Sequence, residues 1–387
     1  MLESLSKRIL ICTFFAALPL FYLSAIDKTM RPAKEDQDWR MLQQAENYFE
    51  DEKYGEAINL AEKAKDSRKQ EVAWERYTIE SSFKNSTVRK AGDSLSEVID
   101  ALKKRSSVSA LNVISSAFDK KGESYFGNSV SKLNEYLSTA DRYPEADYLI
   151  GKIYNLEGET ELSLQYLQKA LLNQDALDVP EQKYDIMYTL AEISYNSGND
   201  DDYEKYLKLV LKDDANYKDP DNPNAPGTLM NAMIATIKNK RNPGTSYNDK
   251  EKTVDKFFKL YRSRNVISIK ACSELAQYYD EKGRSNEALS CAALGTITAF
   301  SIICEKMAER DSLFEYKDLQ TVLTECAKYD DIVAWGSDTG AWQLFYFLAK
   351  ESSLEGSAEF AVELYTALSL SLPVEYWRVQ AERALVK

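Results

Sequence analysis

No histidine occurs anywhere in the 387 residues of this chain. Its absence removes Ser–His–Asp and Cys–His nucleophilic catalysis, histidine general bases and histidine-based metal sites together. Carboxylate pairs, lysine dyads and cysteine chemistry remain. Ser-x-x-Lys occurs at Ser129–Lys132 and at Ser81–Lys84. The S-D-N and K-T-G companions that accompany a catalytic Ser-x-x-Lys are absent, and a solvated helix face explains both copies. The acidic stretch from Asp219 to Asn224 invites a calcium reading. A calcium loop starting at Asp219 needs Gly at its sixth position and Glu at its twelfth, where this chain has Asn224 and Met230. Turns in which Asn and Asp bond their own backbone fit the stretch better. Asp200, Asp201 and Asp202 fall where carboxylates favour a helix N-terminus. The glycines are isolated turn residues, not a phosphate-binding loop. No cofactor or metal is therefore expected. Paired carboxylates leave no local signature, so a carboxylate-based glycosidase on a helical toroid stays open as an alternative.

Lys and Arg number 49 against 62 Asp and Glu, a formal net charge of −13. That balance argues against nucleic acid and against peripheral docking on anionic lipid. Hydrophobic residues make up 44% of the chain, enough for a folded protein. Lys7 and Arg8 precede an apolar run from Ile9 to Ile26. This pattern predicts a signal peptide or transmembrane anchor over residues 1–26, with the N-terminus in the cytoplasm and the remainder outside, in the periplasm. Leu23-Ser24-Ala25 is an imperfect cleavage site, so cleavage and retention both remain open. Cys272, Cys291, Cys304 and Cys326 fall on predicted helices. There they read as small buried hydrophobes, although an exported chain permits disulfides.

Elements that would position any site follow from one recurring pattern. A small residue is followed seven positions later by a turn residue, then five later by a small or apolar residue, then four later by an apolar one. It reads Gly151, Gly158, Ser163, Leu167; Ala191, Gly198, Tyr203, Leu207; Ala276, Gly283, Ala288, Ala292; and Ala349, Gly356, Ala361, Tyr365. A copy with a non-glycine turn is Ala45, Glu52, Ala57, Ala61. Two short helices crossing closely through a tight turn need small residues at the crossing. Further pairs are expected at Val72–Phe83 with Ala91–Lys104, and around Gly122. Leu294–Ala308 and Lys317–Lys328 read as longer, less regular helices, and Val374–Val386 as a terminal cap. Pro220, Pro223, Pro226 and Pro243 interrupt the pattern, with one helix expected inside at Thr228–Lys240. The resulting division is 1–26 leader, 27–211 N-terminal repeats, 212–250 insertion and 251–387 C-terminal repeats.

The pattern resembles the tetratricopeptide repeat, a 34-residue helix–turn–helix unit. Tyr48, Tyr154 and Tyr279 three residues after the small residue match, as do Ala64, Ala170 and Val210 late in the second helix. The resemblance implies an all-α, right-handed helical-repeat solenoid whose first helices line a groove for other proteins. It places groove positions at Tyr148, Lys152 and Asn155, at Tyr188, Glu192 and Tyr195, and at Tyr346, Lys350 and Ser353. Members that clamp a C-terminal carboxylate carry Lys and Asn at the first two positions. Here Tyr takes the place of that Lys, so the clamp is not implied. Tyrosine suits a recognition surface and equally suits packing between helices. The function expected is a non-catalytic scaffold or adaptor within an envelope assembly, such as a flagellar collar or a secretion or outer-membrane assembly complex. It would join other envelope proteins and meet the inner membrane through residues 1–26. A ligand-binding module partnered with a transporter is the alternative.

Overall fold

The computed structural model describes residues 27–33, 37–85, 139–219, 229–238 and 252–386. Helix accounts for 77% of them, and none lies in a strand. The chain divides into two compact units, Met1–Ile186 and Met187–Lys387. The first holds α1 (Asp38–Glu50), α2 (Tyr54–Asn85), α3 (Pro144–Leu156) and α4 (Thr160–Leu172). Helix α5 (Gln182–Asn196) enters the second unit at Met187 and is followed by α6 (Asp200–Leu211), α7 (Leu229–Lys238) and α8 (Thr253–Leu260). Then come α9 (Ile267–Glu281), α10 (Ser285–Arg310), α11 (Leu319–Cys326) and α12 (Asp330–Asp338). The chain closes with α13 (Ala341–Leu354), α14 (Ala358–Ser371) and α15 (Glu375–Val386).

Five hairpin turns close with one bond. The N–H groups of Lys53, Glu159, Asn199, Arg284 and Ser357 donate to the carbonyls of Tyr48, Tyr154, Ser194, Tyr279 and Ser352, all at 2.8–2.9 Å. The residue before each donor is left-handed, with φ of 59° at Glu52, 79° at Gly158, 70° at Gly198, 72° at Gly283 and 82° at Gly356. This is the Schellman ending, and it falls at the five turn positions that the sequence pattern marks. Lack of space is not the reason for glycine at these turns. A Cβ on Gly158, Gly198, Gly283 or Gly356 would meet nothing within 4 Å. Backbone handedness selects glycine at the turns. The spatial requirement lies seven residues earlier, where a Cβ on Gly151 would stand 2.7 Å from Leu167 Cγ. Ala45, Ala191, Ala276 and Ala349 are wholly buried at the equivalent positions.

Two helices are longer than expected. Helix α2 runs unbroken through Val72–Phe83, which read as a separate helix. No Gly or Pro interrupts it after Gly55, so repeat length alone suggested the break. Helix α10 likewise absorbs Leu294–Ala308 into one 26-residue helix. It is long and apolar enough to cross a membrane, yet 83% of its most apolar window is buried inside the unit. It is a core helix, flanked by α7, α9, α11, α12 and α13. A Cβ on Gly295 would lie 2.7 Å from Cys272 Cβ and 2.8 Å from Leu344 Cδ1, so α9 and α13 both press on α10 there. The second unit is thus gathered around one buried helix, not strung out as hairpins alone. Helix α7 buries Met230, Met233 and Ile237 and packs on α10 and α8. The insertion therefore contributes a packed element. Helix α12 had no counterpart in the sequence pattern. Helix α15 covers α13 and α14 as a cap.

In the first unit, Arg68 ties three segments together. Its Nε lies 2.6 Å from Asp38 Oδ2, with both side chains 1% exposed. Its guanidinium stacks 3.2 Å from the Tyr143 ring centroid, and its Nη1 donates to Arg142 O at 3.2 Å. Lys65 bridges Asp147 at 2.8 Å and Glu62 at 2.9 Å. The residues 27–33 lie along α2, where Gln70 donates to the carbonyls of Asp27 and Met30 and Arg31 pairs with Glu71 at 3.2 Å. The leader 1–26, the pair member Ala91–Lys104, the repeat around Gly122, Ser129–Lys132 and most of the Asp219–Asn224 stretch lie outside the described residues.

Candidate functional site

The second unit carries a cleft of about 290 Å³ between its first helices, α5 and α9. Tyr188, Glu192 and Tyr195 line it from α5, and Lys270, Glu274, Gln277, Tyr278 and Glu281 from α9, with Tyr203 of α6 between them. These α5 residues recur at i, i+4 and i+7, which puts them on one helix face. The α9 residues form the facing strip at 270, 274, 277, 278 and 281. The offsets used on α5 give Ser273, Gln277 and Asp280 when counted from Ala276. Gln277 was therefore within reach of the sequence reading. Lys270, Glu274, Tyr278, Glu281 and Tyr203 were not, because they depend on which helices become neighbours.

Two kinds of side chain occupy the cleft. Tyr188 is half-buried and committed to structure: its hydroxyl donates to Ile267 O at 2.7 Å and accepts from Ala271 N at 3.0 Å. It clamps the first turn of α9. The expectation that Tyr188 stands open on the groove is corrected to that extent. Lys270 Nζ rests 4.9 Å from the Tyr188 ring centroid. Tyr195 differs, at 55% exposed. Its ring lies 5.2 Å from that of Tyr203, which meets Tyr278 edge-on at 5.4 Å. Three carboxylates, Glu192, Glu274 and Glu281, face one lysine. Burial and the Glu192 charge push the Glu274 carboxyl above its ordinary range, against the pull of Lys270 and of the Tyr203 hydroxyl. Those two partners stand off at 3.8 Å and 3.5 Å. Glu281 accepts from Gln277 at 2.9 Å.

The other positions implied by the repeat resemblance sit elsewhere. In the first unit, Lys152 of α3 lies over Phe49 at 5.0 Å and over Tyr148 at 5.3 Å. Asn155 is half-buried one turn on. In α13, Tyr346 is half-buried beneath the cap, with its ring 5.3 Å from Trp377 and 5.9 Å from Tyr365. Lys350 pairs with Asp280 at 2.6 Å. Tyr346 and Lys350 therefore belong to packing and pairing within the second unit and not to an open groove, while Ser353 is exposed. Tyr188 and Tyr346 are engaged in contacts within the second unit, and Tyr195 is exposed.

Among the described residues, no group of three or more Cys, Asp or Glu gathers in metal-binding geometry. The four cysteines there are free thiols. Burial pushes Cys291, Cys304 and Cys326 up to about 12, which keeps them protonated and poor nucleophiles.

No family model matches the chain. An uncharacterized protein of Treponema pallidum (strain Nichols) is 30% identical over 341 residues, covering 88% of this chain and 87% of that protein. The solved structure of the P58(IPK) TPR domain covers 91% of this chain and 80% of its own at 14% identity, with a TM-score of 0.17.

Proposed function

We propose that this chain, which belongs to one family with that Treponema pallidum protein, is a non-catalytic docking module that holds other proteins. The α5–α9 cleft carries the reading. It presents an exposed tyrosine and surplus carboxylates at the junction of two hairpins, the place where helical repeats offer concave binding surface.

The cellular setting is part of the same proposal. A basic flank followed by an apolar run at residues 1–26 supports export or anchoring, with the repeats on the outer side of the inner membrane. There the module would join an envelope assembly. Pull-down of the full chain from crosslinked membranes, with mass spectrometry of what accompanies it, tests the reading. Envelope proteins recovered above a mock sample are expected. A chain recovered alone, or only with cytoplasmic proteins, would overturn it.

A further inference from the structure

We propose that the α5–α9 cleft is a receptor for arginine, taking the guanidinium of a basic extended segment of a partner protein between Tyr195 and Glu274. This deepens the docking reading and rests on it. The molecule already contains the completed form of the same arrangement. Around α9, Arg284 lies 4.4 Å from the Tyr279 ring centroid and donates to Glu204 at 2.8 Å. Tyr279 donates to the same carboxylate at 2.9 Å. In the first unit, Arg68 likewise lies over Tyr143 while pairing with Asp38. In both places a guanidinium lies over tyrosine and donates one N–H to a carboxylate, leaving its remaining N–H groups for other acceptors.

The cleft presents the tyrosine and carboxylate without the arginine. Tyr195, Tyr203 and Tyr278 form a continuous aromatic wall, and no cation lies over the exposed face of Tyr195 among the described residues. Among the described residues Glu274 meets Lys270 at 3.8 Å and Tyr203 at 3.5 Å, and no ion pair engages Glu192. Lys270 does not fill the place, because its ammonium is drawn over Tyr188. Arginine is favoured over lysine because one fork can meet Glu274 while its plane covers Tyr195. The net charge of −13 speeds the approach of a basic partner without selecting arginine.

Calorimetric titration of the full chain with acetyl-Ala-Arg-Ala-Arg-Ala-amide tests this. The citrulline counterpart keeps the shape and loses the charge. The arginine peptide should bind, and the citrulline peptide should bind at least about tenfold more weakly, a difference of roughly 1.4 kcal/mol. Tyr195→Ala and Glu274→Gln should each weaken the arginine peptide by about tenfold with unchanged helical signal. Absence of binding, equal binding of the citrulline peptide, or variants that bind like the unaltered chain would each overturn the proposal; the last would mean unspecific attraction to an acidic protein. Free arginine amide binding as tightly as the peptide would also overturn it, in favour of a small-molecule site. The pull-down reports separately: envelope partners recovered without peptide binding sink the arginine cleft alone, and a bound peptide with no partners sinks the docking reading.

Discussion

Glu351 is a buried acid whose charge the second unit does not accommodate. It lies on α13 with 0% exposure, and among the described residues no ion pair neutralises it. Its neighbour Asp280 on α9 is already taken by Lys350 at 2.6 Å. Burial, then the Asp280 carboxylate, push Glu351 from 4.5 up to about 7. A carboxyl whose folded value is raised keeps its proton more readily in the fold than in the unfolded chain. Its cost is therefore absent below about pH 4.5, grows through the interval up to about 7, and is complete above it. The displacement corresponds to about 3 kcal/mol at most. Glu351→Gln keeps the shape and removes the charge. Unfolding by urea, followed by circular dichroism at several pH values, should show the two proteins alike near pH 4.5. The variant should become the more stable, by about 2–3 kcal/mol, at pH 8. The net-charge repulsion of the acidic chain acts on both and cancels in the difference. A difference that stays constant from acid to alkaline pH would refute this account.

Other consequences follow from single contacts. Gly283→Val should destabilise by about 1–2 kcal/mol through handedness alone, since space is open there; Glu52→Gly, at the one non-glycine turn of the five, should stabilise by about 0.5–1 kcal/mol, both read from melting curves. Tyr188→Ala should lower stability by about 2–3 kcal/mol before it affects any binding, because the hydroxyl clamps the start of α9. Arg68→Ala should cost about 3–5 kcal/mol by removing the guanidinium that pairs with buried Asp38, measured by denaturant unfolding of the chain. Mass mapping after a thiol reagent should find Cys272, Cys291 and Cys326 unlabelled in the native chain and labelled once it is unfolded.

The hairpins were legible because their determinants are local. The residues at 45, 57 and 61 are all Ala, and the residue at 52 ends the helix, so four side chains within seventeen positions define one crossing. The same spacing returns wherever two helices must touch at a small residue. Helix length was not legible by that route. Nothing between Tyr54 and Asn85 marks an end, and in the fold Gln70 and Glu71 of α2 hold Asp27, Met30 and Arg31. The unbroken α10 escaped for a related reason: Gly295 reads locally as a turn residue, yet serves as the place where Cys272 and Leu344 approach from two other helices. One glycine type carries two meanings, handedness at Gly283 and proximity at Gly295, and only neighbours distinguish them.

The candidate site divides the same way. The positions implied by the repeat resemblance included Tyr188, Glu192 and Tyr195, and on α5 these three share a face. They could not reveal which side chains stay available, because availability depends on what the next helix brings. Lys152 meets Phe49 and Tyr148 and so supplies its own aromatic surroundings with a cation. Tyr346 disappears under Trp377, and Lys350 is spent on Asp280. At the α5–α9 junction the incoming helix brings Glu274, Tyr278 and Glu281, while Lys270 settles over Tyr188 and Lys282 over Tyr278. The result is a surplus of carboxylate beside an uncovered ring. Equivalent repeat positions thus diverge through the charge their neighbours contribute, and the face left uncompensated is where a charged partner gains most from docking.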